Sequence, residues 1–295
     1  MRVLLLGSGG QLGSAFRLQF PGHWDIKSLD YPDINLSDPS SITKWITDTE
    51  PQLIINAAAY TAVDRAEREP NLAEAVNSRA LCVIGQCAEE IKAAVLHYST
   101  DYVFSGRKGS PYVETDKPDP LNVYGWTKLE GEKCLAETSP AAVILRTSWV
   151  YSPGGNSFPD KVLRWAHNQE TLQVVSDQVA GPTSAWDLAR ASLKIINQAG
   201  QDPYSFFYEY AGIYHLAGEP VVSRYDWAKA VLALDPDENR RPCKEVIPVP
   251  TSTFPTPADR PLFSGLDCSL VRKTFALDML DWKHGLQEAF TRMSG

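Results

Sequence analysis

Two side chains four residues apart, Tyr124 and Lys128, and two hydroxyls shortly before them, Ser99 and Thr100, are the residues of this chain most suited to chemistry. Four residues is about one helical turn, so on a helix the phenol and the amine share a face. An ammonium beside a phenol favours the phenolate, which brings a group of ordinary pKa near ~10 toward the range where it exchanges a proton with a carbonyl or alcohol oxygen. Tyr124 is therefore a candidate general acid, Lys128 its tuning cation, and Thr100 a second donor to the same reacting oxygen. Taken alone, a Tyr-x-x-x-Lys spacing is common on solvated helix faces; its meaning depends on the elements around it.

A helix is expected over Asn122 to Thr138. The apolar run Ala93 to Tyr98 reads as a buried strand that ends at Thr100, and open α/β sheets bind ligands at such carboxyl ends. The N-terminus supplies a second site. Arg2 to Leu6 is a short apolar strand followed by Gly7-Ser8-Gly9-Gly10-Gln11-Leu12-Gly13 and then by a helical segment, Ser14 to Phe20. Glycines at 7, 10 and 13 permit a tight turn, a close approach of pyrophosphate to backbone N–H groups and close packing of helix on strand, while the helix N-terminus attracts the anion. A second strand, Asp25 to Leu29, ends at Asp30, 23 residues after Gly7. That is about where an acid contacts a ribose hydroxyl in a dinucleotide site, although Asp30 also suits a turn ahead of Tyr31-Pro32.

Further along, a helix starts near Asp38-Pro39-Ser40, a buried strand covers Leu53 to Asn56, and the small residues after it leave room for a flat ligand. A long helix is expected from about Asn71 to Lys92 and a fifth strand over Ala142 to Thr147. Alternating strands and helices across 150 residues imply an α/β fold with a doubly wound parallel sheet. After Tyr151 come a loop at Ser152 to Asn156, a helix at Phe158 to Asn168, a short strand at Leu172 to Val175 and a loop at Asp177 to Thr183. A helix at Ala185 to Gln198 and a strand at Gly212 to Gly218 follow, then a proline-rich tail with helices at Tyr225 to Leu234, Ser269 to Phe275 and Trp282 to Met293. The expected organisation is a Rossmann-like dinucleotide-binding domain over residues 1–150, with a return segment at about 185–218. Residues 151–184 and 219–295 form a smaller C-terminal substrate-binding lobe.

The chain has 295 residues, 43% hydrophobic and 22% charged, with a net charge of −8. It is long enough for a large domain and a small one, and no Lys/Arg run is available to neutralise the phosphates of a nucleic acid. No stretch approaches the roughly 18 apolar residues of a membrane span, and Met1 to Leu6 is too short for a secretory core. The expectation is a cytoplasmic protein that binds neither nucleic acid nor membrane. Five cysteines, at 82, 87, 134, 243 and 268, form no Cys-x-x-Cys; neither a disulfide framework nor a zinc site is indicated.

As a set, several motifs resemble the dTDP-4-dehydrorhamnose reductase family of extended short-chain dehydrogenase/reductases. They are Gly7-x-x-Gly10-Gln11-Leu12-Gly13, the runs Asn56 to Asp64, His97 to Phe104, Pro120 to Gly125 and Arg146 to Tyr151, and Phe254 to Pro257. The resemblance covers the whole chain. It implies reduction of the C4 ketone of dTDP-4-dehydro-L-rhamnose to dTDP-L-rhamnose by NADPH or NADH, with Tyr124 as proton donor, Lys128 on the nicotinamide ribose and Thr100 orienting the ketone. It places Asp101 and Trp149 with Thr100 against the sugar, and Gly7, Gly10, Gln11, Leu12 and Gly13 at the pyrophosphate. Asp30, Asn35 and Leu36 fall at the adenosine end, and Ala59, Tyr60, Thr61 and Tyr98 along the rest of the dinucleotide. Asp30 without a neighbouring arginine leans toward NADH, yet family members with this acid take both cofactors.

Some members bind Mg²⁺ between subunits through glutamates, where this chain has Ser14-Ala15 and Trp186-Asp187. No such metal site is expected, and a homodimer is left open. Two other readings share the framework: a nucleotide-sugar epimerase or dehydratase, and a non-catalytic dinucleotide-binding regulatory subunit. Dehydratases of the superfamily carry Thr-Asp-Glu where this chain has Thr100-Asp101-Tyr102. A regulatory subunit would have no need of intact Thr100, Tyr124 and Lys128.

Overall fold

In a computed structural model, which describes residues 1–154 and 156–293, six parallel strands form the centre of the molecule. They are β1 (Arg2–Leu6), β2 (Asp25–Leu29), β3 (Leu53–Asn56), β4 (Ala94–Thr100), β5 (Ala142–Thr147) and β6 (Gly212–His215), in the spatial order β2-β1-β3-β4-β5-β6. Every pairing is parallel. Strand order reverses direction between β1 and β3, and in open α/β sheets the crevice at that switch point is where ligands bind.

Alternation along each strand builds two cores. Val3, Leu5, Leu53, Ile55, Leu96 and Leu145 face one layer, which includes α1 (Gln11–Arg17) and a later helix, Ala185–Gln198. Leu4, Leu6, Ile54, Val95 and Ile144 face the other, against α2 (Pro39–Thr49) and α3 (Ala80–Glu90). Because both faces are covered, β4 and β5 are buried throughout. A third apolar cluster lies apart from the sheet and joins Tyr151, Val162, Leu172, Trp227, Trp282 and Leu286.

The expected elements form, with instructive differences. The long helix after residue 70 is broken into Pro70–Glu74, a π-helical turn at Ala75–Arg79, and α3. The wide turn brings the Asn77 amide to Tyr60, donating to its carbonyl at 3.1 Å and accepting from its N–H at 2.8 Å. A strand not expected from the sequence, Glu245–Val249, pairs in parallel with Thr171–Val175; Pro248, which supplies no N–H, disguises it. Gly155, in the expected loop at Ser152 to Asn156, and the last two residues of the expected lobe lie outside the described residues.

The cysteine reading needs a correction. Cys82 of α3 and Cys134 of α4 (Val123–Thr138) are joined in a disulfide, with Cα atoms 5.2 Å apart. Their separation of 52 residues gives no local signal; the pair meets because the two helices pack side by side on the sheet. Cys87, Cys243 and Cys268 are free and buried. Among the described residues no helix is long and apolar enough to cross a membrane.

Helix α4 is held to the sheet by one buried ion pair. Arg146 of β5 donates to Glu132 through Nε at 2.9 Å and Nη2 at 2.6 Å, with the two side chains only 2% and 1% exposed. Removing one partner strands a charge in the interior. Glu132→Leu should therefore cost about 3–5 kcal/mol of unfolding free energy in urea titrations. The double variant Glu132→Leu, Arg146→Met should recover most of that loss.

Candidate active site

Two adjoining cavities of about 590 and 450 Å³ open along the carboxyl ends of β1, β3, β4 and β5. They share Gly7, Asp30, Ala58 and Ala59 and form one groove. At one end lie Asn35, Leu36 and Tyr60; at the other lie Thr100, Asp101, Tyr124, Lys128 and Trp149. Gly10, Gln11, Leu12, Thr61 and Tyr98 line the middle. Of the expected site residues only Gly13 stays out of the wall.

Gly13 acts by packing instead. A Cβ there would stand 2.1 Å from the Gly7 carbonyl oxygen, and Gly7 itself adopts φ +80°, so α1 can start directly against the end of β1 only with glycine at both positions. Asp30 is engaged by the same loop: its carboxylate accepts from Gly9 N–H at 2.7 Å and from Tyr31 N–H at 2.8 Å. Two accepted bonds still leave carboxylate lone pairs toward the groove. Gln11 reaches across the groove to accept from Ser152 N–H at 2.6 Å. Tyr60 is tethered through its hydroxyl to Glu69 at 2.7 Å.

The reactive end is built on α4. Asn122 caps it, its side-chain oxygen accepting from Gly125 N–H at 2.8 Å while its amide donates to the Asp259 carbonyl at 2.7 Å. Gly125 lets the first turn lie on the preceding loop, since a Cβ there would meet the Tyr102 carbonyl oxygen at 2.2 Å. The Tyr124 ring meets Tyr102 edge-on at 5.9 Å. Thr100 caps the 3₁₀ turn Asp101–Val103, accepting from Tyr102 N–H at 3.1 Å and donating to Asp101 at 3.1 Å.

The shift at Tyr124 runs opposite to the one expected, and its cause is burial rather than Lys128. Burial pushes the Tyr124 phenol well above its ordinary range, and the hydrogen bond with Thr100 offsets this only in part. Lys128 is drawn inward: Nζ lies 2.6 Å from the Tyr98 carbonyl oxygen, to which it donates, and 3.0 Å from His97 Nε2. Its side chain is 1% exposed, and burial lowers its pKa to about 7 against the opposing charge of Glu132. Desolvation disfavours both charged forms, which helix-face reasoning does not see. The arrangement keeps a proton on the phenol, as a general acid requires.

Asp101 is 2% exposed and accepts from Ser148 Oγ at 2.9 Å and Ser264 Oγ at 2.5 Å. Burial raises its pKa to about 6 despite those donors. Trp149, with φ +42°, lies in stacked orientation with Trp227, ring centroids 5.6 Å apart, under the Arg224 guanidinium at 3.7 Å. Buried and without hydrogen-bond partners, Ser99 Oγ and Thr147 Oγ1 belong to residues lining the same cavity. Orphan hydroxyls in a cradle that glycine keeps open fit a polar dinucleotide. Asn77, His97, Glu132, Arg146 and Arg224 were not singled out from the sequence. His97 and Arg146 fall within quoted motifs, but their partners lie on other elements.

The model of the RmlD substrate binding domain family matches residues 1–294. The chain is 40% identical over 305 aligned positions to dTDP-4-dehydrorhamnose reductase of Shigella flexneri, covering 99% of each. It is similar in structure to a dTDP-4-dehydrorhamnose reductase from Clostridium acetobutylicum, with a TM-score of 0.91 and 32% identity over all of both chains. The Bacillus anthracis dTDP-4-dehydrorhamnose reductase crystallised in complex with NADP aligns with a TM-score of 0.88 and 30% identity over 99% of both chains.

Asp101 makes stability depend on pH with a definite sign. Its folded pKa lies above the unfolded value, so its contribution is greatest below pH ~4 and is lost as pH rises through about 6. Asp101→Asn removes that dependence. The difference in unfolding free energy between wild type and variant should therefore change by about 3 kcal/mol between pH ~4 and pH ~7, wild type losing ground at the higher pH.

Proposed function

This chain belongs to the RmlD substrate binding domain family, and from that premise we propose that it reduces dTDP-4-dehydro-L-rhamnose to dTDP-L-rhamnose. The observation that carries the reading is the meeting of Thr100, Tyr124 and Lys128 with the glycine loop in one continuous groove. NADPH or NADH, when bound, supplies the hydride that goes to C4. Gly7, Gly10, Gln11 and Leu12 hold the pyrophosphate of that cofactor. Asp30, Asn35 and Leu36 hold its adenosine end, and Ala59, Tyr60, Thr61 and Tyr98 hold the stretch between. Gly13 sets the height of α1.

The chain's own residues handle the ketone. Tyr124 aims its hydroxyl at the carbonyl oxygen, and Thr100 joins it when its O–H turns from Asp101 to that oxygen; negative charge grows there as C4 is reduced, and donors held close in advance are effective. Tyr124 gives its proton to that oxygen and completes the alcohol. Lys128 positions the nicotinamide ribose and compensates charge on the phenol. Asp101 and Trp149 shape the sugar pocket, Asp101 through its seryl partners and Trp149 as a flat wall.

In this reading residues 1–150 with 185–218 bind the dinucleotide, and 151–184 with 219–295 close on the dTDP-sugar. The protein works in the cytoplasm, without nucleic acid or membrane partners. A homodimer, where it forms, does not rely on a glutamate-bound Mg²⁺, because Ser14-Ala15 and Trp186-Asp187 offer no glutamate.

The test is oxidation of NADPH and NADH in the presence of enzymatically generated dTDP-4-dehydro-L-rhamnose. Wild type should turn over with at least one cofactor. Tyr124→Phe should lose about 10²–10⁴-fold in kcat while retaining dinucleotide binding by calorimetry. Turnover that survives the substitution, or a wild type that binds dinucleotide yet never oxidises it with this sugar, would overturn the assignment.

A further inference from the structure

Lys128 ends a buried hydrogen-bond chain that starts on the backbone of the loop after β3. Ala58 N–H donates to Asn56 Oδ1 at 3.2 Å, which turns the amide nitrogen of Asn56 toward His97 Nδ1, 3.2 Å away. An amide nitrogen only donates. His97 Nδ1 must then be the bare, accepting nitrogen, and in a neutral imidazole the proton sits on Nε2. That N–H points at Lys128 Nζ, 3.0 Å away. An ammonium has three donors and no acceptor, so only the amine form can accept it. The amine still has two N–H bonds, one of which goes to the Tyr98 carbonyl at 2.6 Å.

We propose that Asn56 and His97 are positioning residues for the reduction: they present Lys128 with a donor and so favour its neutral amine form in the unliganded protein. The backbone N–H of Ala58 sets the direction of the whole chain, because reversing any one bond leaves two donors facing each other in the interior. Asn56 and His97 are each 1% exposed, so water does not relieve such a conflict.

The surroundings agree. The ionisable groups around Lys128 are His97 on β4 and, on α4 itself, Tyr124 and Glu132. Burial keeps His97 neutral against a weaker pull from the Asn56 backbone, and burial keeps Tyr124 protonated. Glu132 favours the ammonium but is already engaged by both donors from Arg146. A neutral Lys128 leaves Tyr124 its proton until the ketone is in place. Once Tyr124 has passed its proton to the ketone oxygen, Lys128 can take one from water in the cavity it lines, leaving hydroxide to the solvent, and so face the phenolate as an ammonium. The part played in catalysis rests on the reductase reading; the protonation state of the unliganded protein does not.

Nitrogen-15 NMR of the imidazoles in the dinucleotide-free protein reads the tautomer directly, with the His97 signals assigned by their loss in His97→Gln. The expected result is a protonated Nε2 and a bare Nδ1. Carbon-13 NMR of lysine Cε, assigned through Lys128→Met, should place the Lys128 midpoint at about 7, well below the ordinary ammonium value. In Asn56→Asp the carboxylate accepts from His97 Nδ1, reversing the chain and offering Lys128 an acceptor. In His97→Gln the amide is free to turn its oxygen to Lys128.

Both variants should raise the midpoint by at least about one pH unit, roughly a tenfold fall in acid dissociation. In Asn56→Asp the tautomer should switch as well. A residue that merely packs would move neither reading. Protonated Nδ1 in wild type, a wild-type Lys128 midpoint near 10, or unchanged midpoints in folded variants would overturn the proposal. A wild type that fails to oxidise NADPH with the ketosugar would strike the reductase reading alone, since neither NMR measurement needs turnover.

Discussion

The buried ion pair between Arg146 and Glu132 is the constraint on which the reactive end depends. It crosses from β5 to the middle of α4 and fixes that helix both in height and in rotation, because a bidentate guanidinium–carboxylate contact tolerates little sliding. Lys128 stands one turn before Glu132, and Tyr124 one turn before Lys128. With Glu132 anchored, Lys128 Nζ reaches the carbonyl of Tyr98 and the ring of His97 on β4. Gly125 and Gly131 permit the same approach by leaving no Cβ to meet the carbonyls of Tyr102 and Asn77. Such a pair need not add to net stability. Its consequence here is geometric: two reactive side chains are held against a strand they do not belong to.

That closeness also fixes the chemistry. A phenol and an amine on a solvated helix face would behave as an attracting pair, the cation drawing the phenol toward ionisation. Packed against β4, both lose hydration, and the larger effect is desolvation, which keeps the phenol protonated and pushes the amine toward neutrality. The same logic applies at Asp101, whose carboxylate is buried under two serine hydroxyls and whose pKa moves upward in spite of them. The reactive end of the groove thus favours neutral groups. Charge appears there only as reaction proceeds, which is where fixed donors contribute most.

Much of this was legible along the chain. Short buried strands, a glycine loop after the first of them and an acid at the end of the second are local patterns, and each reflects a local physical need: alternating burial, a tight turn, a helix start open to an anion. The positions of β1, β2, β3 and β5 and of the helix bearing Tyr124 were read for the same reason. The π-helical turn at Ala75–Arg79 and the strand at Glu245–Val249 were not, since one depends on Asn77 finding the backbone of Tyr60 and the other on a pairing partner over 70 residues away.

The sequence by itself determined which residues carry the chemistry, because reactive groups are set by residue type and by spacing within one turn or one loop. It also determined the order of strands and helices that brings Gly7, Asp30, Thr100 and Tyr124 to the carboxyl end of a parallel sheet. Only the tertiary structure decided the protonation states, the direction of the chain from Asn56 through His97 to Lys128, and the joining of Cys82 to Cys134. Those depend on burial and on which donors face which acceptors across elements far apart in sequence. Neither quantity is carried by spacing along the chain.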